Sequence, residues 1–180
     1  MITTGFTFNS AHSDSFGIVV DPTQRIILPE KRRILTNIPG RSGYRVQSDG
    51  TYLARQETFH CYYKKPSDIS LADSARRIAL WLSGEGQLEF DNEPGKYYDA
   101  FVVGAPPQVR HLKYGEFDVT FCYSPPFAYT EMQEYSAIIV SNDGSLLLPV
   151  NGTADTPCRI IIRNVSNTVI QHIRVTRSVQ

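Results

Sequence analysis

The stretch WLSGEGQLEFDNEPGKYY, residues 81–98, decides the fold class of this chain. Gly84 follows an amphipathic segment and predicts the end of a helix, because glycine readily adopts the left-handed conformation found there. Leu88 and Phe90 then alternate with polar residues, which is typical of a half-buried strand. Residues 91–95, DNEPG, favour a polar turn before the next strand. The stretch therefore predicts a helix followed by a β-hairpin, and nothing in it suggests catalysis.

The segment before this stretch has the pattern of one amphipathic helix near residues 71–83. Ser70 is placed to cap its N-terminus, and Asp73 in the first turn favours the positive end of the helix dipole. Apolar residues recur at helical spacing and form one stripe: Leu71, Ala75, Ile78 and Leu82. A single helix of this kind among strands predicts that it packs across a sheet.

The rest of the first part of the chain alternates with period two, which indicates strands. Four segments show the pattern most clearly: residues 6–8, 16–20, 52–63 and 117–123. The two longer segments are rich in aromatic residues, which favour a pleated, half-buried surface. The sequence therefore predicts a mainly β protein, a β-sandwich with one helix.

The composition changes at residues 124–127, SPPF, after which Trp and Phe no longer occur. Later apolar runs predict a hairpin within residues 137–148 and two more strands at 158–162 and 169–175. We interpret residues 1–127 as one domain and residues 128–180 as a second, incomplete or reduced β-element. A single sheet in this second part would leave too many apolar side chains exposed to water. We therefore expect a truncated chain, strands packed on the first domain, or completion by a neighbouring chain.

The charge balance argues against several classes of partner. Eighteen basic residues balance eighteen acidic ones, which is unlike a dedicated nucleic-acid or anionic-membrane binder. No apolar run approaches the ~20 residues of a membrane helix, and the N-terminus does not resemble a secretory signal. The cysteines are odd in number and widely spaced, which fits a reducing compartment and predicts small buried hydrophobes: Cys61, Cys122 and Cys158.

No arrangement of residues predicts a catalytic, metal or cofactor site. His60 and Cys61 are adjacent on a predicted strand, so their side chains point to opposite faces. The acidic turn at residues 91–95 lacks the later carboxylates of a calcium loop. The segment Gly40–Gly43 is not a nucleophile elbow. We therefore expect no enzymatic activity, no metal and no cofactor.

The segment from Arg25 to Arg45 carries six basic residues and one acidic residue, Glu30. One interpretation is a solvated strand edge, where charges discourage stray pairing. The other is a loop that faces a neighbouring subunit, where arginines bind carboxylates. The turn IPGRSG, residues 38–43, would be its exposed tip. The candidate interface residues are Arg32, Arg33, Ile38, Pro39 and Arg41.

Several of these elements occur in the order found in one viral family. The opening FTFNSAHSDSFGIVV, the IPGR-type turn, the helix with GQLEFDNEPGKYY, and the strand FDVTFCYSPPF resemble the N-terminal domain of siphophage distal tail proteins. Residues 151–157, NGTADTP, and the strands after them resemble the start of that family's galectin-like second domain. The resemblance covers roughly residues 1–127 well and the rest more loosely.

The resemblance implies a structural protein of the virion tail, assembled in the bacterial cytoplasm. Members of the family form a six-fold ring that joins the tail tube to the adsorption apparatus. The implied partners are further copies of the chain, the tail tube protein, a tail-associated lysin or fibre protein, and a receptor-binding protein. No membrane partner and no recognition of nucleic-acid sequence are implied.

A second hypothesis is a β-sandwich carbohydrate-binding module for attachment to the host surface. Sugar sites usually need an exposed aromatic platform. The second part of the chain offers only Tyr129 and Tyr135, both near its beginning. An enzyme, the third hypothesis, has no supporting set of residues.

Overall fold

The computed structural model describes residues 5–21, 25–64, 69–111, 113–139, 145–148, 152–154 and 156–176. The described parts contain ten strands, one α-helix and a short 3-10 helix at Ser13–Phe16. The α-helix, α1, spans Leu71–Leu82. The strands are β1 Phe6–Phe8, β2 Ala11–His12, β3 Ile18–Val20, β4 Ile34–Asn37, β5 Tyr44–Gln47, β6 Arg55–Lys64, β7 Glu85–Phe90, β8 Tyr97–Val102, β9 Gln108–Arg110 and β10 Tyr114–Tyr123.

Eight of these strands form one antiparallel sheet in the order β2-β1-β7-β8-β10-β6-β3, with β9 also paired to β10. The longest ladder joins β10 to β6 over ten residue pairs, from Tyr114↔Lys64 to Tyr123↔Arg55. The other edge of β10 pairs with β9 near its start and with β8 at its end. The sheet curls around its apolar face, which gives the sandwich-like, mainly β fold that the sequence predicted.

Helix α1 covers the inner face of the curled sheet through Ile78, Trp81 and Leu82, which are all buried. Trp81 stacks on Phe16 with ring centroids 4.3 Å apart, and its Nε1 donates a hydrogen bond to the Phe8 carbonyl at 2.8 Å. An indole buried with its N–H paired combines apolar burial with full hydrogen bonding. This helix ends one residue before the predicted limit, and Ser70 caps it as expected.

The β1–β2 turn is tight and brings Asn9 close to Gly86 of β7. Asn9 and Ser10 have φ values of 49° and 65°, and they are the non-glycine residues with positive φ among the described parts of the chain. Asn9 lies directly over Gly86, where an added Cβ would come 1.5 Å from the Asn9 Oδ1 atom. A Cβ at position 86 in β7 would therefore force the exposed Asn9 side chain to move.

The chain divides into two compact units, and the boundary between them along the sequence lies between Ser136 and Ala137. In the first unit, Tyr129 exchanges backbone hydrogen bonds of 2.9 and 2.7 Å with Tyr97. The segment that follows the proline pair at 125–126 therefore continues to pair with β8, beyond the composition break at 124–127.

The second unit differs from the sequence-based expectation. Strands were predicted at 158–162 and 169–175, but no strand is assigned to the described residues from 137 to 176. The predicted hairpin turn near Asp143 lies outside the described residues. Alternation alone cannot form a strand, because a strand also needs a partner to accept its backbone hydrogen bonds. Cys158 is exposed, so the prediction of burial was wrong for this residue, whereas Cys61 and Cys122 are buried.

Candidate interaction site

The basic segment forms a separate two-stranded hairpin, which we call the arm and define as residues 31–52. A backbone bridge between Lys31 and Tyr52 closes its base. The Arg32 amide donates to the Thr51 carbonyl at 2.8 Å, just beyond that bridge. Strands β4 and β5 then pair with each other from Ile34↔Gln47 to Asn37↔Tyr44. The arm is therefore a continuous hairpin and not an irregular loop.

The tip of the arm is built by its turn residues. The Arg41 amide donates to the Ile38 carbonyl at 3.1 Å, which closes a four-residue turn. Pro39 and Gly40 occupy the central positions, and Gly40 has a φ of +79°. This arrangement fits a type II turn, which favours proline first and requires a positive φ second. The sequence prediction of a turn at residues 38–43 is confirmed, and Pro39 and Arg41 are exposed while Ile38 is half-buried.

The arm exposes apolar side chains on both of its faces. Leu35 pairs with Val46 across the ladder, and they are 57% and 56% exposed. Tyr44, on the same face, is 65% exposed, and Ile34 on the opposite face is 63% exposed. A lone two-stranded hairpin is marginally stable in water, and an open apolar edge invites pairing. These features are typical of a segment that is covered by a partner.

The basic residues of the arm point into solvent. Arg32, Arg33, Arg41 and Arg45 are exposed, and none forms an ion pair with another described residue. The five predicted interface residues therefore all lie on the arm, two near its base and three at its tip.

Arg25, which the sequence grouped with the arm, has a different role. Its guanidinium lies 4.1 Å from the centroid of the Phe90 ring, and its Nε lies 3.0 Å from Glu57 Oε2. The N–H direction does not make this second contact a hydrogen bond, so the pair is ionic. Arg25 thus anchors the chain to the main sheet shortly before the arm begins.

Glu57 is the buried centre of that anchor, and its role was not predicted from the sequence. The Ile26 amide donates to its Oε1 at 2.7 Å, and the Tyr123 hydroxyl donates to its Oε2 at 3.0 Å. Arg55 Nε also donates to Oε1, at 3.0 Å. The alternation of β6 could have revealed this residue, since Glu57 lies on the same face as Phe59.

Burial alone would raise the pKa of Glu57, but its partners reverse the effect. The hydrogen bonds from Arg55 and the Ile26 amide, together with the charges of Arg25 and Arg55, lower the pKa below the ordinary value of 4.5. The carboxylate is therefore charged at neutral pH and holds two arginines in place. We interpret this group as structural because every member has a partner inside the fold.

The outer face of the main sheet is polar, in contrast to the apolar face that helix α1 covers. Its four central strands, β7, β8, β10 and β6, carry five outward carboxylates and one outward lysine: Glu85, Glu89, Asp99, Glu116, Asp118 and Lys64. His60 also lies on this face, and its Nδ1 is 2.5 Å from Asp118 Oδ1. This hydrogen bond is the main reason that the pKa of His60 is raised. The face is therefore acidic, and it was not predicted from the sequence.

The described residues show few features of a metal site, a membrane span or a sugar-binding platform. They contain no group of three or more histidine, cysteine or carboxylate side chains that could hold a metal ion. None of the described helical segments has the length and apolar character needed to span a bilayer. Of the two candidate platform tyrosines, Tyr129 packs against Tyr97 with ring centroids 5.9 Å apart, and Tyr135 is exposed.

The geometry defines a sandwich-like β protein with one helix, an exposed arm and an acidic outer sheet face. No family model matches the chain, and no curated protein matches it. Among solved structures, the fold is similar to that of the SPP1 Dit protein (gp 19.1), described as a paradigm of the hub adsorption apparatus in phages that infect Gram-positive bacteria. The TM-score is 0.57 at 14% sequence identity, over 71% of this chain and 52% of that one. The chain has a Dit-like fold and spans about half the length of that protein.

Proposed function

We propose that this chain is a structural component of a phage or prophage tail, and that it acts as a hub between the tail tube and the adsorption apparatus. The Dit-like fold, which is matched over 71% of this chain, supports this role. The observation that carries the proposal is the arm, a hairpin with exposed apolar faces and arginines that make no ion pair with any described residue. A hub needs such a surface because its work is to bind neighbouring chains.

Assembly through the arm would produce a closed ring. When a segment of one copy binds a different surface of the next, the interface is head-to-tail, and the assembly closes if the rotation divides the circle. We propose six copies, with the tail tube protein on one side of the ring and a lysin or fibre protein on the other. A receptor-binding protein would attach outside. The place of the chain would be the virion tail, assembled in the host cytoplasm.

The first test is the mass of the protein in solution at high concentration, by sedimentation velocity. Wild-type protein should form one discrete oligomer in equilibrium with monomer. Leu35→Glu places a charge at the centre of the apolar arm face, and it should weaken association by roughly thirtyfold or more, as loss of an interface hot spot does.

A matched control is Leu80→Glu, because Leu80 is 77% exposed on the outer side of helix α1. This variant should associate like the wild-type protein. Protein that remains monomeric at every concentration would contradict the proposal. Equal weakening by both variants would show that the arm has no special part in assembly.

A further inference from the structure

The chain is neutral as a whole, but two of its surfaces concentrate exposed charge of opposite sign. The arm carries arginines without ion pairs to described residues, whereas the four central strands of the main sheet present five carboxylates against one lysine. Each copy carries both surfaces, so the positively charged surface of one copy attracts the negatively charged surface of another copy. We propose that the arm of one copy docks on the acidic outer sheet face of the next copy. This inference rests on the proposed function and names the surface that receives the arm.

The carboxylates of this face differ in their availability. Asp118 is engaged by His60, and Glu116 lies 3.3 Å from His111. Glu89 accepts a hydrogen bond from the Gly95 amide at 3.0 Å. Glu85 and Asp99, in contrast, are exposed and form no ion pair with described residues.

Glu85 and Asp99 are also neighbours on the sheet. Asp99 pairs with Gln87 between β8 and β7, so Glu85 is its diagonal neighbour at about 7–8 Å. Two carboxylates at this distance repel each other, and an arginine placed between them would relieve the repulsion. These two residues are therefore the proposed receivers of the guanidinium groups of the arm.

The same face offers apolar contacts that match the arm. Phe101 pairs with Glu85 and is half-buried, and Tyr97 lies on the same outward row of β8. Four strands span about 14 Å between their outer axes, and each strand of the arm extends about 13 Å. The arm therefore has the size to lie across this face, with Leu35, Tyr44 and Val46 against the aromatic residues.

Charge reversal tests this docking surface. Glu85→Lys combined with Asp99→Lys reverses the face, and Arg33→Glu combined with Arg41→Glu reverses the arm. Each double variant should weaken self-association roughly tenfold or more in sedimentation velocity. The chain with all four changes has the original net charge and restores opposite signs across the interface, so it should recover most of the lost affinity.

Two matched controls separate docking from net charge. Glu131→Lys with Glu134→Lys changes exposed acidic positions outside the sheet, and Arg77→Glu with Arg159→Glu changes exposed basic positions outside the arm. Both should associate within a few-fold of the wild-type protein. Circular dichroism of each variant, compared with the wild type, verifies that the fold is retained.

The outcomes distinguish this inference from the proposed function. Loss of association with the arm variant alone, while the face variant assembles normally, would overturn the sheet face as receiver and leave the arm as the binding element. Absence of recovery in the fourfold variant would also overturn it. If both double variants assemble normally, or if the wild-type protein does not assemble, the proposed role of the arm itself is overturned.

Discussion

At the scale of single residues, the network around Glu57 shows how one buried charge fixes the place where the arm leaves the sheet. Its side chain is 3% exposed and lies between Arg25 and Arg55. Removing one partner of a buried ion pair leaves the others charged without compensation. The anchor of the arm therefore depends on this carboxylate more than on any residue within the arm.

We predict that Glu57→Gln lowers the free energy of unfolding by about 3 kcal/mol, because Arg55 loses its charge partner and Arg25 keeps only Glu93, at 3.5 Å. Urea unfolding measures this effect. Glu134→Gln, at an exposed position, should change it by less than about 0.5 kcal/mol. A shift of equal size in both variants would contradict the structural importance of the network.

The same residue gives a pH dependence. Since the folded-state pKa of Glu57 is lowered, its contribution is present above the ordinary value of 4.5 and is lost as pH falls through the folded-state pKa. Wild-type stability should therefore decrease more steeply in acid than that of Glu57→Gln, measured by urea unfolding from neutral pH downward. Parallel acid profiles would show that Glu57 does not have a lowered pKa.

Ser10 has a φ of 65°, which is unfavourable for a residue with a Cβ. Ser10→Gly should raise the free energy of unfolding by about 1 kcal/mol, because glycine adopts this conformation without strain. Ser136→Gly serves as control, at an exposed position that does not have positive φ, and should give no gain. Destabilisation by Ser10→Gly would show that the turn is not strained.

At the scale of elements, the sequence predicted those whose pattern and local chemistry agree. Helix α1 has a cap, a stripe and a stop, and its observed bounds differ from the prediction by one residue. The tip of the arm was predictable because Pro39-Gly40 suits only a few turns. The strands predicted for the second unit are absent from its described residues, because alternation does not identify the partner of a strand.

The arm itself gives an element-scale prediction. As a hairpin exposed on both faces, it has few tertiary contacts that protect its amides, so they should exchange rapidly with solvent in dilute monomer. Hydrogen exchange followed by mass spectrometry should show slower exchange in Ile34–Asn37 and Tyr44–Gln47 when the protein is concentrated enough to assemble. The amides of β6 and β10 serve as internal reference and should be protected in both conditions. Strong protection of the arm in the monomer would contradict its freedom to bind a partner.

At the scale of the whole molecule, the candidate site divides into a part visible in the sequence and a part that only the fold reveals. The basic residues of the arm are close in sequence, so their clustering could be read directly. The acidic face combines residues from β7, β8 and β10, and only strand pairing brings Glu85 beside Asp99. Long-range pairing of this kind depends on sheet order, which local patterns do not determine.

Electron microscopy of the concentrated protein tests the central proposal most directly. Closed rings of six copies around a central channel are the expected result, and Leu35→Glu should abolish them while Leu80→Glu does not. Monomers alone, or open filaments without a closed form, would contradict the proposal that this chain is a ring-forming tail hub.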